Sequence, residues 1–201
     1  MAVLISGGGT TLQNFIDRIA DGRFRATIAG VVASKPGIAG LDRATRAALP
    51  TTVVASGERL SECVFEAIRP WNVDLVCLAG WLKLLTIPDD FAGRVLNIHP
   101  SLLPAFGGAG MYGHRVHEAV LAAGVAESGC TVHFADNHYD TGPIVAQARV
   151  PVVPGDTPAT LAARVFAAEC DLYPAAIHHV WDAFSFRFHP SPGGPGTVNK
   201  S

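Results

Sequence analysis

Runs of like charge are missing from this 201-residue chain: 15 Lys and Arg stand against 17 Asp and Glu, the formal net charge is -2, and the basic residues are scattered singly. This leaves no electrostatic footprint for a nucleic-acid backbone or an anionic membrane, and small molecules become the expected partners. Cysteine is sparse as well. Cys63, Cys77, Cys130 and Cys170 form no Cys-x-x-Cys pair, so zinc-ribbon and redox motifs are excluded. Flanked mostly by Val, Leu, Phe or Ala, they read as buried free thiols of a reducing cytosol. Ahead of Ala2-Val3-Leu4-Ile5 there is no basic leader, and no apolar stretch has the length of a signal peptide or membrane span. A cytoplasmic location is the expectation.

What is present is apolar. Hydrophobic residues make up 49% of the chain and charged residues only 16%, as in a compact protein whose central strands are covered on both faces. The length suits one domain. Short strand-like runs (Ala2–Ser6, Ala26–Ser34, Thr51–Ala55, Leu75–Ala79, Val95–Ile98) alternate with helical periodicity over Thr10–Asp21, Leu41–Ala48 and Leu60–Arg69, the last stopped by Pro70. The alternation predicts a doubly wound, mostly parallel α/β sheet of Rossmann-like type with helices on both faces. Beyond Pro100 a glycine-rich loop precedes a predicted helix at Val116–Ala123. Strands at Cys130–Phe134 and Ile144–Val150 follow, then a helix over Thr160–Trp181 interrupted near Pro174. The domain is expected to span residues 1–183, with 184–201 a disordered, breaker-rich tail.

Three constellations stand at places where such a fold does chemistry. Ser6-Gly7-Gly8-Gly9-Thr10-Thr11 joins a strand end to a helix start. Free N–H groups and the helix dipole there suit a phosphate, although such a turn is also a common tight connection. Leu12 at the third glycine position and Ser34-Lys35 after the second strand argue against a dinucleotide fingerprint. Asn97-Ile98-His99-Pro100 follows an apolar strand, and a two-residue period points Asn97 and His99 the same way. An amide donor beside an imidazole suits acyl-type transfer, in which an oxygen gains charge and an amine sheds a proton; a lone buried His of purely structural role is the alternative. Asp140, in Asp136–Pro143, is expected to orient His99, to raise its pKa by charge proximity or to order a water that relays the proton, the alternative being that with Gly142 it simply builds a turn.

These stretches together resemble the glycinamide ribonucleotide formyltransferase family, from the first strand to about Pro174. The carriers are Asn97-Ile98-His99-Pro100-Ser101-Leu102-Leu103-Pro104, Asp140-Thr141-Gly142-Pro143, the glycine turn and Leu78-Ala79-Gly80-Trp81-Leu82-Lys83-Leu84-Leu85. The resemblance implies a catalytic trio of Asn97, His99 and Asp140. It implies a phosphate site for phosphoribosylglycinamide at Gly8, Gly9, Thr10 and Thr11, with Thr11 standing where the family usually has Asn. Glu169 would lie near the glycinamide end of that substrate. Leu82, Lys83, Leu84 and Leu85, together with Asn97, would hold the co-substrate 10-formyltetrahydrofolate, and Arg59 its glutamate tail. No metal is implied, and the expected state is monomer or homodimer. The segment Ala105–Gly113, longer than in the best-known members and rich in glycine, would alter a lid without touching the chemistry.

The implied reaction is direct attack of the glycinamide amine on the formyl carbon. One rival is a formyltetrahydrofolate hydrolase, whose pattern continues like Pro104-Ala105-Phe106 but whose members usually add an N-terminal regulatory domain. Methionyl-tRNA formyltransferases share the Asn/His motif and usually add a C-terminal nucleic-acid-binding domain. A non-catalytic folate- or nucleotide-binding protein of the same fold is the third.

Overall fold

The computed structural model describes residues 1–188. Its first half alternates strands β1 (Ala2–Ile5), β2 (Gly30–Ala33), β3 (Thr51–Val53), β4 (Val76–Leu78) and β5 (Val95–His99) with helices α1 (Thr10–Ala20), α2 (Ala39–Arg46) and α3 (Leu60–Ile68). Helix α4 (His114–Ala122), strands β6 (Glu127–Phe134) and β7 (Ile144–Pro151) and the long helix α5 (Pro158–Phe188) complete it. The sheet order is β3-β2-β1-β4-β5-β6-β7. Strands β1 to β5 are mutually parallel, whereas β6 and β7 add antiparallel at one side. The order reverses between β1 and β4, and ligands of open α/β sheets bind at the carboxyl ends beside such a switch.

Side-chain alternation builds two cores on opposite faces of the sheet. Val3 and Ile5 of β1 pack with Leu12 and Phe15 of α1 and with Tyr173 and Ile177 of α5. Ala2 and Leu4 face the other way, against Val64, Phe65 and Ile68 of α3. A third cluster joins α4 to α5 through Val116, Val120, Leu161 and Val165. Among the described residues no helix is long and apolar enough to cross a membrane.

Several boundaries differ from the sequence expectation. Strand β2 starts at Gly30, not Ala26, because its register with β1 opens with Gly30 opposite Ala2. Strand β6 starts earlier than Cys130, since Glu127, Ser128 and Gly129 pair with β7 despite their poor strand propensity. Helices α2 and α4 each begin two residues before their apolar periodicity, and β3 ends two residues early. Helix α3 ends at Ile68, as expected with Pro70 ahead, and the chain continues into a 3₁₀ turn, Arg69–Trp71, where the missing N–H of Pro70 near its start is harmless. Pro174, by contrast, does not interrupt α5, which runs through it. A proline inside a helix costs about 3 kcal/mol; burial of Tyr173, Ala176, Ile177 and Val180 around it offsets that cost. Residues 184–188, expected in a disordered tail, continue α5; the remainder of that tail, 189–201, lies outside the described residues.

The glycine turn after β1 is held by its contact with α2. Gly9 has φ +68, and a Cβ there would come 2.7 Å from the Gly40 Cα; one on Gly40 would come 2.6 Å from Ile5 Cδ1 and 2.9 Å from the Gly7 carbonyl oxygen. The Gly40 N–H donates to that same carbonyl at 3.1 Å. Gly40→Ala should therefore lower stability by about 1–3 kcal/mol through overpacking. Urea denaturation should show a lower midpoint at unchanged slope; an unshifted midpoint would mean that the turn yields freely.

Candidate functional site

A cavity of about 410 Å³ opens at the carboxyl ends of β1, β4 and β5, within the size range of small-molecule sites. Thr10 and Thr11 line one end, at the start of α1. Gly9 is the N-cap of that helix and no side chain caps it, so the first-turn N–H groups remain available to an anion. Gly8 and Gly9 support this end without lining the cavity. The Arg43 Nε donates to the Gly8 carbonyl at 2.8 Å and its other arm reaches Gln13, pinning the turn from outside.

Asn97 and His99 both leave β5 toward the cavity, and the loop after β6 brings Asp140 to them. The Asn97 Nδ2 is 3.4 Å from Asp140 Oδ1, and His99 Nδ1 is 3.4 Å from Asp140 Oδ2. His99 Nε2 lies 2.9 Å from the Phe106 carbonyl oxygen, an acceptor, so in the neutral ring the hydrogen sits on Nε2 and Nδ1 carries the free lone pair. The Gly108 N–H donates to Asp140 Oδ2 at 3.0 Å. Residues 106 and 108 thus contact the trio directly, contrary to the expectation of a lid that leaves the chemistry alone. Burial lowers the His99 pKa and outweighs the upward pull of Asp140, so the net effect is opposite to the one expected from charge proximity. Burial also pushes Asp140 up, but the neighbouring His133 and His99 rings and the Gly108 N–H hold its carboxyl below the ordinary range.

The other wall is the segment after β4. Leu82, Lys83, Leu84 and Leu85 all line the cavity with Trp81; Leu82 and Leu84 are exposed at its mouth, while Leu85 is buried in the core. Two side chains of the 136–142 loop fasten this segment: Tyr139 Oη accepts from the Leu84 N–H at 3.2 Å and Asn137 Oδ1 from the Ile87 N–H at 2.9 Å. Glu169, on α5, lines the cavity. Arg59 does not join the others. It precedes α3, its side chain is 68% exposed, and it pairs with Glu62 at 2.6 Å and Glu66 at 3.6 Å, so its charge is already engaged outside the cavity. Among the described residues no group of His, Cys, Asp or Glu is arranged to hold a metal.

Among the cavity residues that escaped the sequence reading are two buried histidines. His133 on β6 stands opposite Asn97 in the sheet register and its Nε2 is 3.0 Å from Asn97 Nδ2. His117 on α4 is buried, with Nδ1 lacking a partner. The alternation Cys130-Thr131-Val132-His133 carried the first signal, because it sets Thr131 and His133 on one face; knowing that this face met Asn97 required the register.

A sequence model described as formyl transferase matches residues 1–177. The chain is similar to the phosphoribosylglycinamide formyltransferase of Haemophilus influenzae, 39% identical over 184 residues that cover 88% of this chain and 84% of that protein. It is also similar to the human trifunctional purine biosynthetic protein adenosine-3, 42% identical over 90% of this chain. The chain spans only 13–18% of the length of such trifunctional relatives. Among solved structures, the glycinamide ribonucleotide transformylase 1 of Symbiobacterium toebii superposes with a TM-score of 0.80 at 41% identity, covering 88% of this chain and 84% of that one.

Glu169 offers a test of the cavity's electrostatics. Burial pushes its carboxyl up from 4.5 to about 7. Between those values the folded chain holds a proton that the unfolded chain has released, so this group's contribution to stability declines as pH rises through that window. His99 and His117, with pKa values lowered by burial, act in the opposite sense: their contribution is present above 6.5 and is lost as pH falls. Subtracting wild-type melts from those of Glu169→Gln isolates the carboxyl. The variant should be the more stable at about pH 8, with the advantage gone near pH 4; a difference independent of pH would contradict the assignment.

Proposed function

The chain belongs to the formyl transferase family, and we propose that it transfers the formyl group of 10-formyltetrahydrofolate to the amine of phosphoribosylglycinamide, a step of purine synthesis. The observation that carries this reading is the convergence of Asn97, His99 and Asp140 at the carboxyl end of β5, within one cavity. The names of the similar proteins support the choice of acceptor. The first turn of α1, with Thr10 and Thr11, receives the substrate phosphate; Glu169 faces its amine-bearing end. Leu82 to Leu85 offer backbone groups and apolar side chains to the pterin of the folate.

The residues divide the reaction among them. His99, kept neutral by burial, takes the proton of the attacking amine on Nδ1. The resulting imidazolium then lies between the Phe106 carbonyl and the Asp140 carboxylate, which stabilise its charge. The Asn97 amide donates to the oxygen that gains charge as the amine nitrogen bonds to the formyl carbon. Cleavage of the bond to N10 of the folate requires a proton there, and His99 returns the one it took. One proton and one formyl group change places, with no oxidation and no part for a metal. Two small-molecule substrates held in line account for much of the remaining rate. The same reading makes the protein cytoplasmic, a monomer or homodimer, with neither nucleic acid nor membrane as partner.

The test is deformylation of 10-formyl-5,8-dideazafolate, followed by absorbance with and without phosphoribosylglycinamide. Turnover should require the amine and disappear in His99→Ala, and Asn97→Ala should lose roughly 10²–10³ in kcat. Deformylation that ignores the amine would establish a hydrolase instead, and ligand-induced thermal stabilisation without turnover a binding protein.

A further inference from the structure

We infer that His133 is a positioning residue: its Nε2 accepts a hydrogen bond from the Asn97 side-chain amide and thereby fixes which end of that amide faces the reacting atoms. The inference rests on the formyl-transfer reading above, in which Asn97 must present an N–H rather than a carbonyl oxygen.

The argument begins at the far side of the ring. His133 Nδ1 lies 2.9 Å from the Phe134 carbonyl oxygen, which can only accept, so Nδ1 carries the hydrogen. The neutral ring then offers Nε2 as an acceptor alone. The atom 3.0 Å from it is the Asn97 amide. Were that amide turned end for end, two lone pairs would face each other at this distance, so the NH₂ end belongs there. Its two hydrogens have different fates. One is held by His133 in a bond of ordinary length; the other points toward Asp140 Oδ1 at 3.4 Å, too long for a strong bond. That second hydrogen is the one a nearby oxyanion can take over.

Nothing lets the ring drift. His133 is 2% exposed, its Nδ1 is tied to its own strand, and the β5–β6 register sets it directly opposite Asn97, where cross-strand side chains share a face. Asp140 Oδ1, an acceptor, is 3.6 Å from Nε2, too far to hold a hydrogen on that nitrogen, so the Nε2 lone pair stays with the Asn97 amide.

Four variants test this: His133→Leu, His133→Gln, Asn97→Ala and the double variant with Asn97→Ala and His133→Leu, each first checked by circular dichroism and thermal melting. His133→Leu should lower kcat roughly 10- to 100-fold, as misaligned catalytic groups do, with KM for either substrate changed less than about threefold. His133→Gln, whose Oε1 reaches the same N–H, should recover most of the loss. Because the residue acts through Asn97, the double variant should be no slower than Asn97→Ala alone. A KM effect without a kcat effect, or full additivity in the double variant, would overturn the inference. Imidazole ¹⁵N spectroscopy of the wild-type protein decides the orientation independently of turnover and of whether His133→Leu folds. The Nδ1–H tautomer of His133 is expected, and the Nε2–H tautomer refutes the inference. A wild-type protein with that expected tautomer but no formyl transfer would sink the functional reading and leave the hydrogen-bond assignment standing.

Discussion

The antiparallel register of β5 against β6 sets His99 opposite Thr131 and Asn97 opposite His133, and most of the polar site is a consequence of that alignment. Buried polar groups must find partners inside the protein, and Thr131 finds three. Its hydroxyl donates to the Ser101 carbonyl at 2.7 Å and accepts from the Leu103 N–H at 3.0 Å and from Gln147 at 2.9 Å. The chain leaving β5 is thereby turned back over the sheet. Ser101 tightens the turn by donating to the Ala105 carbonyl at 2.6 Å, and the next residues deliver the Phe106 carbonyl to His99 and the Gly108 N–H to Asp140. A strand register is thus transmitted through one threonine to the environment of the imidazole.

The parallel half contributes the complementary end of the cavity by a similar economy of contacts. Ser6, the last residue before the glycine turn, is buried, and its hydroxyl oxygen accepts from Ser34 Oγ at 2.9 Å and from the Leu82 N–H at 3.1 Å. One side chain therefore ties the ends of β1 and β2 to the segment after β4. The two cavity-lining stretches, Thr10–Thr11 and Leu82–Leu85, are held relative to each other by this shared anchor. In the middle of the sheet Tyr173 does related work from α5: its hydroxyl donates to the Leu96 carbonyl at 2.9 Å, holding the helix that carries Glu169 against the strand that carries Asn97.

The parallel strands and their helices were legible in the sequence because each is long, apolar and punctuated by glycine or proline. Asn97 and His99 were legible because a strand's period of two is a local property. Their meeting with Asp140 was visible only through resemblance, since about forty residues, with helix α4 and strand β6 among them, intervene. His133 was hidden for the same reason: nothing within Cys130–Phe134 says which neighbour its polar face will meet. Pro174 misled because local propensity predicts a break, whereas the core around Tyr173 and Ile177 keeps the helix continuous. Arg59 is the opposite case. The resemblance implied a place beside the folate's glutamate tail, whereas its guanidinium pairs on the surface with Glu62 and Glu66, a turn or two along the same helix.

The partners that His99 and Asp140 find in the 106–108 loop are main-chain atoms, a carbonyl from Phe106 and an N–H from Gly108. What these residues meet there is set by the path of the main chain, and that path is narrow in side chains as well: a Cβ on Gly107 would come 2.5 Å from Leu103 Cδ2 and 3.3 Å from Asp140 Cβ, and Phe106 and Gly108 hold positive φ, +56 and +99. A lineage, or an engineer, reshaping this wall of the cavity is therefore bound in alphabet as well as in spacing.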